Sequence, residues 1–173
     1  MNATTLLVMR HAKAADDSTD GTDYGRPLTV RGRDAAQRMG RWIHEQFGDL
    51  PLVLSSPALR TRETLDGVLA AWPEAAAPSV RWDASLYLAP LATLLEAVET
   101  EEAPLWMLLG HNPGVAELVL HLVGAQALAI DRAKPMPTAA FYAIRLPARH
   151  RVANPGSGLL LAHMRPRLLP PSP

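Results

Sequence analysis

At 173 residues the chain suits one compact domain that buries its own apolar core, and with no cysteine it has no disulfide, thiolate metal site or cysteine nucleophile. Lysine plus arginine and aspartate plus glutamate both count 17, so the strongly basic balance of a nucleic-acid binder is missing and any anion site must be local. No apolar stretch reaches the length of a membrane span and no basic leader precedes the first apolar run, which leads us to expect a cytoplasmic protein with neither membrane nor nucleic acid as partner.

Taken in order, strand-like and helix-like segments alternate, the pattern of an α/β domain with a mostly parallel sheet. Residues 4 to 9 read as a first strand, and a polar loop from Asp16 to Arg26 follows. Ala35, Ala36, Met39, Ile43 and Phe47 then keep helical spacing, with Thr29 as N-cap and Gly48 as stop. Leu50 to Leu54 is a short buried strand, and Ser55-Ser56-Pro57 reads as a helix start with Ser56 capping and Pro57 in the first helical position. Leu65, Val68, Leu69 and Trp72 form that helix's inner face. A short strand at 80 to 82, a loop through Leu86 to Pro90 and a helix near 91 to 99 come next. Leu105 to Leu109 is another buried strand, and Pro113 opens a helix lined by Val115, Leu118, Val119 and Leu122. Ala139 to Leu146 and Gly158 to His163 are final strands that include an antiparallel edge. We expect one domain over residues 1–164 and a proline-rich tail over 165–173.

Ligand sites in open α/β sheets gather beyond the carboxyl ends of strands. Three such ends here carry cationic or imidazole groups: Arg10-His11, Arg60 in the opening turn after Ser55-Ser56-Pro57, and His111 within Gly110-His111-Asn112-Pro113-Gly114. Singly, each admits a plain role, a surface turn for the first, a solvated arginine for the second, a helix cap for the third. Brought together, two guanidinium groups and two imidazoles would cradle a tetrahedral dianion. The same segments carry a family likeness. Through Arg10-His11-Ala12, Ser55 to Arg60 followed by Glu63-Thr64, and Gly110-His111, the chain resembles the histidine phosphatase (phosphoglycerate mutase-like) superfamily. Arg-His-Ala-Lys at 10–13, Asp23 to Thr29 and the short length point to its small branch of SixA-like phosphohistidine phosphatases.

That resemblance implies a three-layer α/β/α fold in which His11 is the nucleophile, forming a transient phosphohistidine, while Arg10, Arg60 and His111 hold the phosphoryl oxygens. It implies no metal and no other cofactor. Many members carry a glutamate as general acid where this chain reads Trp82 to Tyr87 without one. An alkoxide leaving group needs a proton, whereas a phosphorylated histidine departs as imidazole, so the missing acid favours a phosphohistidine substrate on a partner protein. A small phosphate ester, or recognition of phosphate without turnover, are the alternatives. Asp23 is the tentative acid or entrance residue, with pairing to Arg26 as its other reading, and Asp83 is a lesser candidate. Lys13 adds charge to the entrance or is plain surface, and Asn112 orients His111 or caps the next helix. His44, His121, His150 and His163 are expected to be structural or solvated.

Overall fold

The computed structural model describes residues 4–73, 77–124, 126, 136–147 and 154–170. Six strands form one sheet: β1 (Thr5–Arg10), β2 (Leu52–Ser55), β3 (Ser79–Trp82), β4 (Leu105–Gly110), β5 (Phe141–Arg145) and β6 (Leu159–Met164), in spatial order β3-β2-β4-β1-β5-β6. The first four of that order are parallel, while β5 and β6 are antiparallel to their neighbours. The helices are α1 (Val30–Phe47), α2 (Leu59–Leu69), α3 (Leu91–Thr100) and α4 (Gly114–Val123). No helix among the described residues is long and apolar enough to cross a membrane.

The expected three layers follow from the period-2 alternation of the central strands. Leu6, Val8, Trp106 and Leu108 point into one core with Leu94, Val98, Val115, Leu118 and Leu122 of α3 and α4. Leu7, Met9, Met107 and Leu109 point into the other with Ala36, Met39, Ile43, Leu65 and Val68 of α1 and α2. A strand covered on both faces reads as an unbroken apolar run, which is why residues 6 to 9 and 106 to 109 carry no polar side chain.

α1 begins and ends where its caps dictate. Thr29 Oγ1 accepts from Gly32 N at 3.0 Å, and the Gly48 N–H, at φ +67°, donates to the His44 carbonyl at 2.9 Å. Two glycines let α1 come close to its neighbours. A Cβ on Gly32 would stand 2.2 Å from the Lys13 carbonyl oxygen, and one on Gly40 would stand 2.2 Å from that of Val68 on α2. The Trp72 indole N–H closes the α1–α2 contact by donating to the Gly40 carbonyl at 2.9 Å.

α2 corrects the sequence reading. It starts at Leu59 with Ala58 in the cap position, two residues beyond Pro57, and no side chain caps it. The chain's proline-rich end, over its described part, packs on the fold: Pro166–Leu168 forms one 3₁₀ turn, and Arg38 Nη2 donates to the carbonyls of Pro166 and Leu169.

Candidate active site

β1 and β4 pair in parallel, yet α1 and α4 leave them for opposite faces of the sheet, so a crevice opens beyond their carboxyl ends. The Arg10↔Gly110 pairing ends the ladder, and the His11 N–H extends it by donating to the Gly110 carbonyl at 3.1 Å. On the other side the Ala139 N–H donates to the His11 carbonyl at 3.1 Å. The backbone of His11 is thus gripped by β4 on one side and by the segment leading into β5 on the other.

Arg10, His11, Asp23, Arg60 and His111 line a single cavity of about 280 Å³, with Lys13, Ala14, Arg26, Leu88, Asn112 and Thr138 completing its described wall. His11 is 8 % exposed and His111 2 %, and their ring centroids lie 5.2 Å apart. The His11 Nδ1–H donates to the Ala12 carbonyl at 2.7 Å. A carbonyl only accepts, so Nδ1 holds the ring proton and Nε2 is left with its lone pair. Burial pushes the His11 imidazole down to about 4, with the Arg10, Arg60 and Arg26 charges adding to it, and the bond to Ala12 opposes the shift. The arginine charges are secondary to burial in this shift.

His111 is held by Ser56. Its Nε2 shares a 2.8 Å hydrogen bond with Ser56 Oγ, while Nδ1 is buried with no hydrogen-bond partner among the described residues. Burial first, then the neighbouring His11 and Arg60, push His111 down to about 3, against the opposing pull of Asp23. Arg60 is 3 % exposed, buried where a first-turn arginine would ordinarily reach solvent. Its Nη1 donates to the Asp23 carbonyl and its Nη2 to the Asp23 carboxylate, the latter at 2.9 Å. Arg10 Nη1 donates to the Met136 carbonyl at 3.0 Å.

Asp23 stands at the mouth. Its carboxylate accepts from the Tyr87 hydroxyl at 2.6 Å, from Arg26 Nη1 at 2.7 Å and from Arg60 Nη2 at 2.9 Å. The Tyr87 hydrogen bond, then those from Arg26 and Arg60, hold its carboxyl far below the usual carboxylate range. A group so held keeps no proton near neutrality, which argues for the entrance reading over the acid, and the pairing with Arg26 is present as well. Asp83 is not among the cavity's described lining residues, and its Oδ1 accepts from Ser85 N at 2.8 Å and from Ser85 Oγ at 2.6 Å. Asn112 takes neither of its expected roles, since its Nδ2 donates to the Met136 carbonyl at 2.9 Å. Lys13 is exposed at the cavity's rim. Of the remaining histidines, His44 lies 3.8 Å from Asp49, His163 packs on Tyr142, and His150 falls outside the described residues.

Sequence reasoning missed three supports. Ser56 was read as a helix cap, but its hydroxyl goes to His111 across 55 residues of chain. Thr64 Oγ1 accepts from the Ala12 N–H at 3.0 Å and donates to the Arg60 carbonyl at 2.6 Å, tying the segment after His11 to α2. Tyr87 packs edge-on against His111 and orders Asp23. Glu63, which flanks Thr64, instead accepts from the Leu28 N–H at 2.6 Å and so anchors the loop that leads to α1.

Comparison with known proteins bears on this geometry. Residues 6–84 match the model of the histidine phosphatase superfamily (branch 1). An uncharacterised protein of Mycobacterium tuberculosis is 30 % identical over 166 residues, covering 92 % of this chain and all of that one. The chain belongs to the histidine phosphatase superfamily. As a histidine phosphatase it is a hydrolase, and it is SixA-like within the superfamily. The phosphohistidine phosphatase SixA of Escherichia coli is 40 % identical over 63 residues, 36 % of this chain and 38 % of that one. A solved protein histidine phosphatase SixA complexed with tungstate superposes with a TM-score of 0.74 at 25 % identity, covering 95 % of this chain and 99 % of that one.

Proposed function

We propose that this histidine phosphatase removes the phosphoryl group from phosphohistidine on a partner protein, through a covalent phosphohistidine on His11. The observation that carries the mechanism is the fixed tautomer of His11: Nδ1–H is tied to the Ala12 carbonyl, and the unprotonated Nε2 belongs to a ring set in a cavity with Arg10, Arg26, Arg60 and a second imidazole. His11 Nε2 attacks phosphorus as the bond to the substrate's ring nitrogen breaks, and the substrate imidazole, already protonated on its other ring nitrogen, takes the bond's electron pair and leaves neutral. Arg10 and Arg60 stabilise the charge that spreads over the equatorial oxygens, and His111 offers Nδ1 because Ser56 occupies Nε2. Water then attacks phosphorus, the P–Nε2 bond breaks, and inorganic phosphate leaves with the proton balance supplied by that water. These guanidinium groups provide the positive charge for which other phosphoryl-transfer sites use a metal ion.

Two further observations support the reading. Tungstate is a tetrahedral dianion of phosphate's shape, and the SixA bound to it shares this fold. Asp23, the carboxyl among the described lining residues, is held ionised and cannot protonate an alkoxide, whereas a phosphorylated imidazole that carries a proton on its other ring nitrogen leaves without such an acid. The test is a trapping experiment with a labelled phosphohistidine peptide. Acid-labile label is expected on the intact protein and none on His11→Ala, with turnover lost in that variant. Label that persists in His11→Ala overturns the covalent step, and a preference for small phosphate esters over the peptide overturns the substrate.

A further inference from the structure

A second cavity, of about 500 Å³, adjoins the first and shares Lys13 and Thr138 with it as a common wall. Its volume lies in the range of pockets that enclose a ligand of their own, roughly 300–1,000 Å³. The first turns of α1 form one side with Arg31 and Ala35, Pro137 and Thr138 another, and the segment Arg165 to Arg167 the third. This third side is fixed in place by the Arg38 hydrogen bonds to the Pro166 and Leu169 carbonyls. Lys13, Arg31, Arg165 and Arg167 all line the groove, and no aspartate or glutamate is among its described lining residues. Arg165 is buried and its Nε–H donates to His163 Nε2 at 3.0 Å, so the charge an incoming ligand meets is that of the exposed cations. Lys13 and Arg31 are exposed, and Arg31 sits in the first turn of a helix that has no acidic residue there. A cation at that end of a helix is disfavoured by the dipole, and an arriving anion relieves it.

We propose that this groove binds an acidic stretch of the phosphorylated protein whose phosphoryl group enters the His11 cavity. The inference rests on the phosphoprotein reading given above and deepens it. The occupant follows from chemistry. Carboxylates meet the basic walls, and Ala35, Pro137 and Pro166 give aliphatic stems an apolar surface. No aromatic side chain is among the described lining, so a stacked base finds no platform. The shared wall at Lys13 and Thr138 lets one continuous backbone serve both cavities.

The test measures kcat/KM on three phosphohistidine peptides that differ only in their flanks, which are Glu, Ala or Lys, for the full chain and for Arg31→Glu. Turnover of an aryl phosphate, dependent on His11, is followed separately as the measure of the chemistry. At low salt the Glu-flanked peptide is expected to exceed the Lys-flanked one by about tenfold or more through KM, with the ratio shrinking as salt rises. In Arg31→Glu the ratio is expected to fall toward one or to invert. Equal kcat/KM on all three flanks, with His11-dependent turnover intact, overturns the groove and leaves the phosphatase chemistry standing. If none of the peptides is turned over while the aryl phosphate is, the phosphohistidine reading fails, and fluorescence anisotropy of the unphosphorylated Glu-flanked peptide decides the groove. Binding that is lost in Arg31→Glu supports it; no binding to the unaltered protein overturns it.

Discussion

The His11 ring is fixed by its nearest possible neighbour, the carbonyl of Ala12, at 2.7 Å. With the ring buried and its imidazole pushed down to about 4, it stays neutral across the range in which a free histidine titrates. Nitrogen-15 spectra of the imidazoles are therefore expected to show the Nδ1–H tautomer of His11 from pH 5 to 8, and a His11 titrating near 6.5 would contradict the geometry. Ser56 is the second residue whose effect is sharply testable. Removing its hydroxyl leaves both nitrogens of a buried His111 without a partner, a loss of roughly 1–3 kcal/mol, so Ser56→Ala is expected to lower kcat about 10- to 100-fold. Because Ser56 acts through His111, a Ser56→Thr variant that keeps a hydroxyl should recover part of the rate.

Elements come together here through backbone contacts that leave no room for a side chain. Gly40→Ala would force α1 and α2 apart at the Val68 carbonyl and is expected to destabilise the protein by about 1–3 kcal/mol, read by chemical denaturation. The elements were also where the sequence spoke most clearly. Thr29 and Gly48 bound α1 as read, and the apolar runs at 6–9 and 106–109 became the central strands, because local caps and burial on two faces write themselves into neighbouring residues. The start of α2 was misread for the opposite reason. Ser56-Pro57 has the pattern of a helix opening, but Ser56 is committed to His111, a partner that no local pattern reveals. Asn112 is a similar case, drawn to the carbonyl of Met136, and a backbone carbonyl has no signature in sequence at all. Arg10, His11, Arg60 and His111 were legible because each stands at a strand end with a charge or ring that the core would not accept. Tyr87 carried no such mark.

Over the whole molecule the two buried imidazoles tie stability to pH. Both titrate near 6.5 when unfolded, and near 4 for His11 and 3 for His111 in the fold. Between those values the unfolded chain binds more protons, so stability is full above pH 6.5 and falls as the pH drops toward 4, by about 3 kcal/mol for His11 alone. Asp23 behaves differently. Its carboxyl is held below the ordinary 3.8, so its contribution persists until the pH falls under that value. The melting temperature is thus expected to decline between pH 6.5 and 4, and His111→Gln, which carries no proton to gain, should flatten that decline. An unchanged slope in this variant would assign the loss elsewhere.

The cavity residues lie beyond three strands, β1, β4 and β2, that are hydrogen-bonded side by side in the sheet but far apart along the chain. A fragment that lacks β4 therefore lacks both His111 and the strand that joins β1 to β2. Arg10 and His11 emerge early in synthesis, and they stay inert until β4 has been made and has slotted in between β1 and β2. Phosphoryl transfer by this chain is in effect a report that its sheet has closed, and the appearance of activity during refolding marks that event directly.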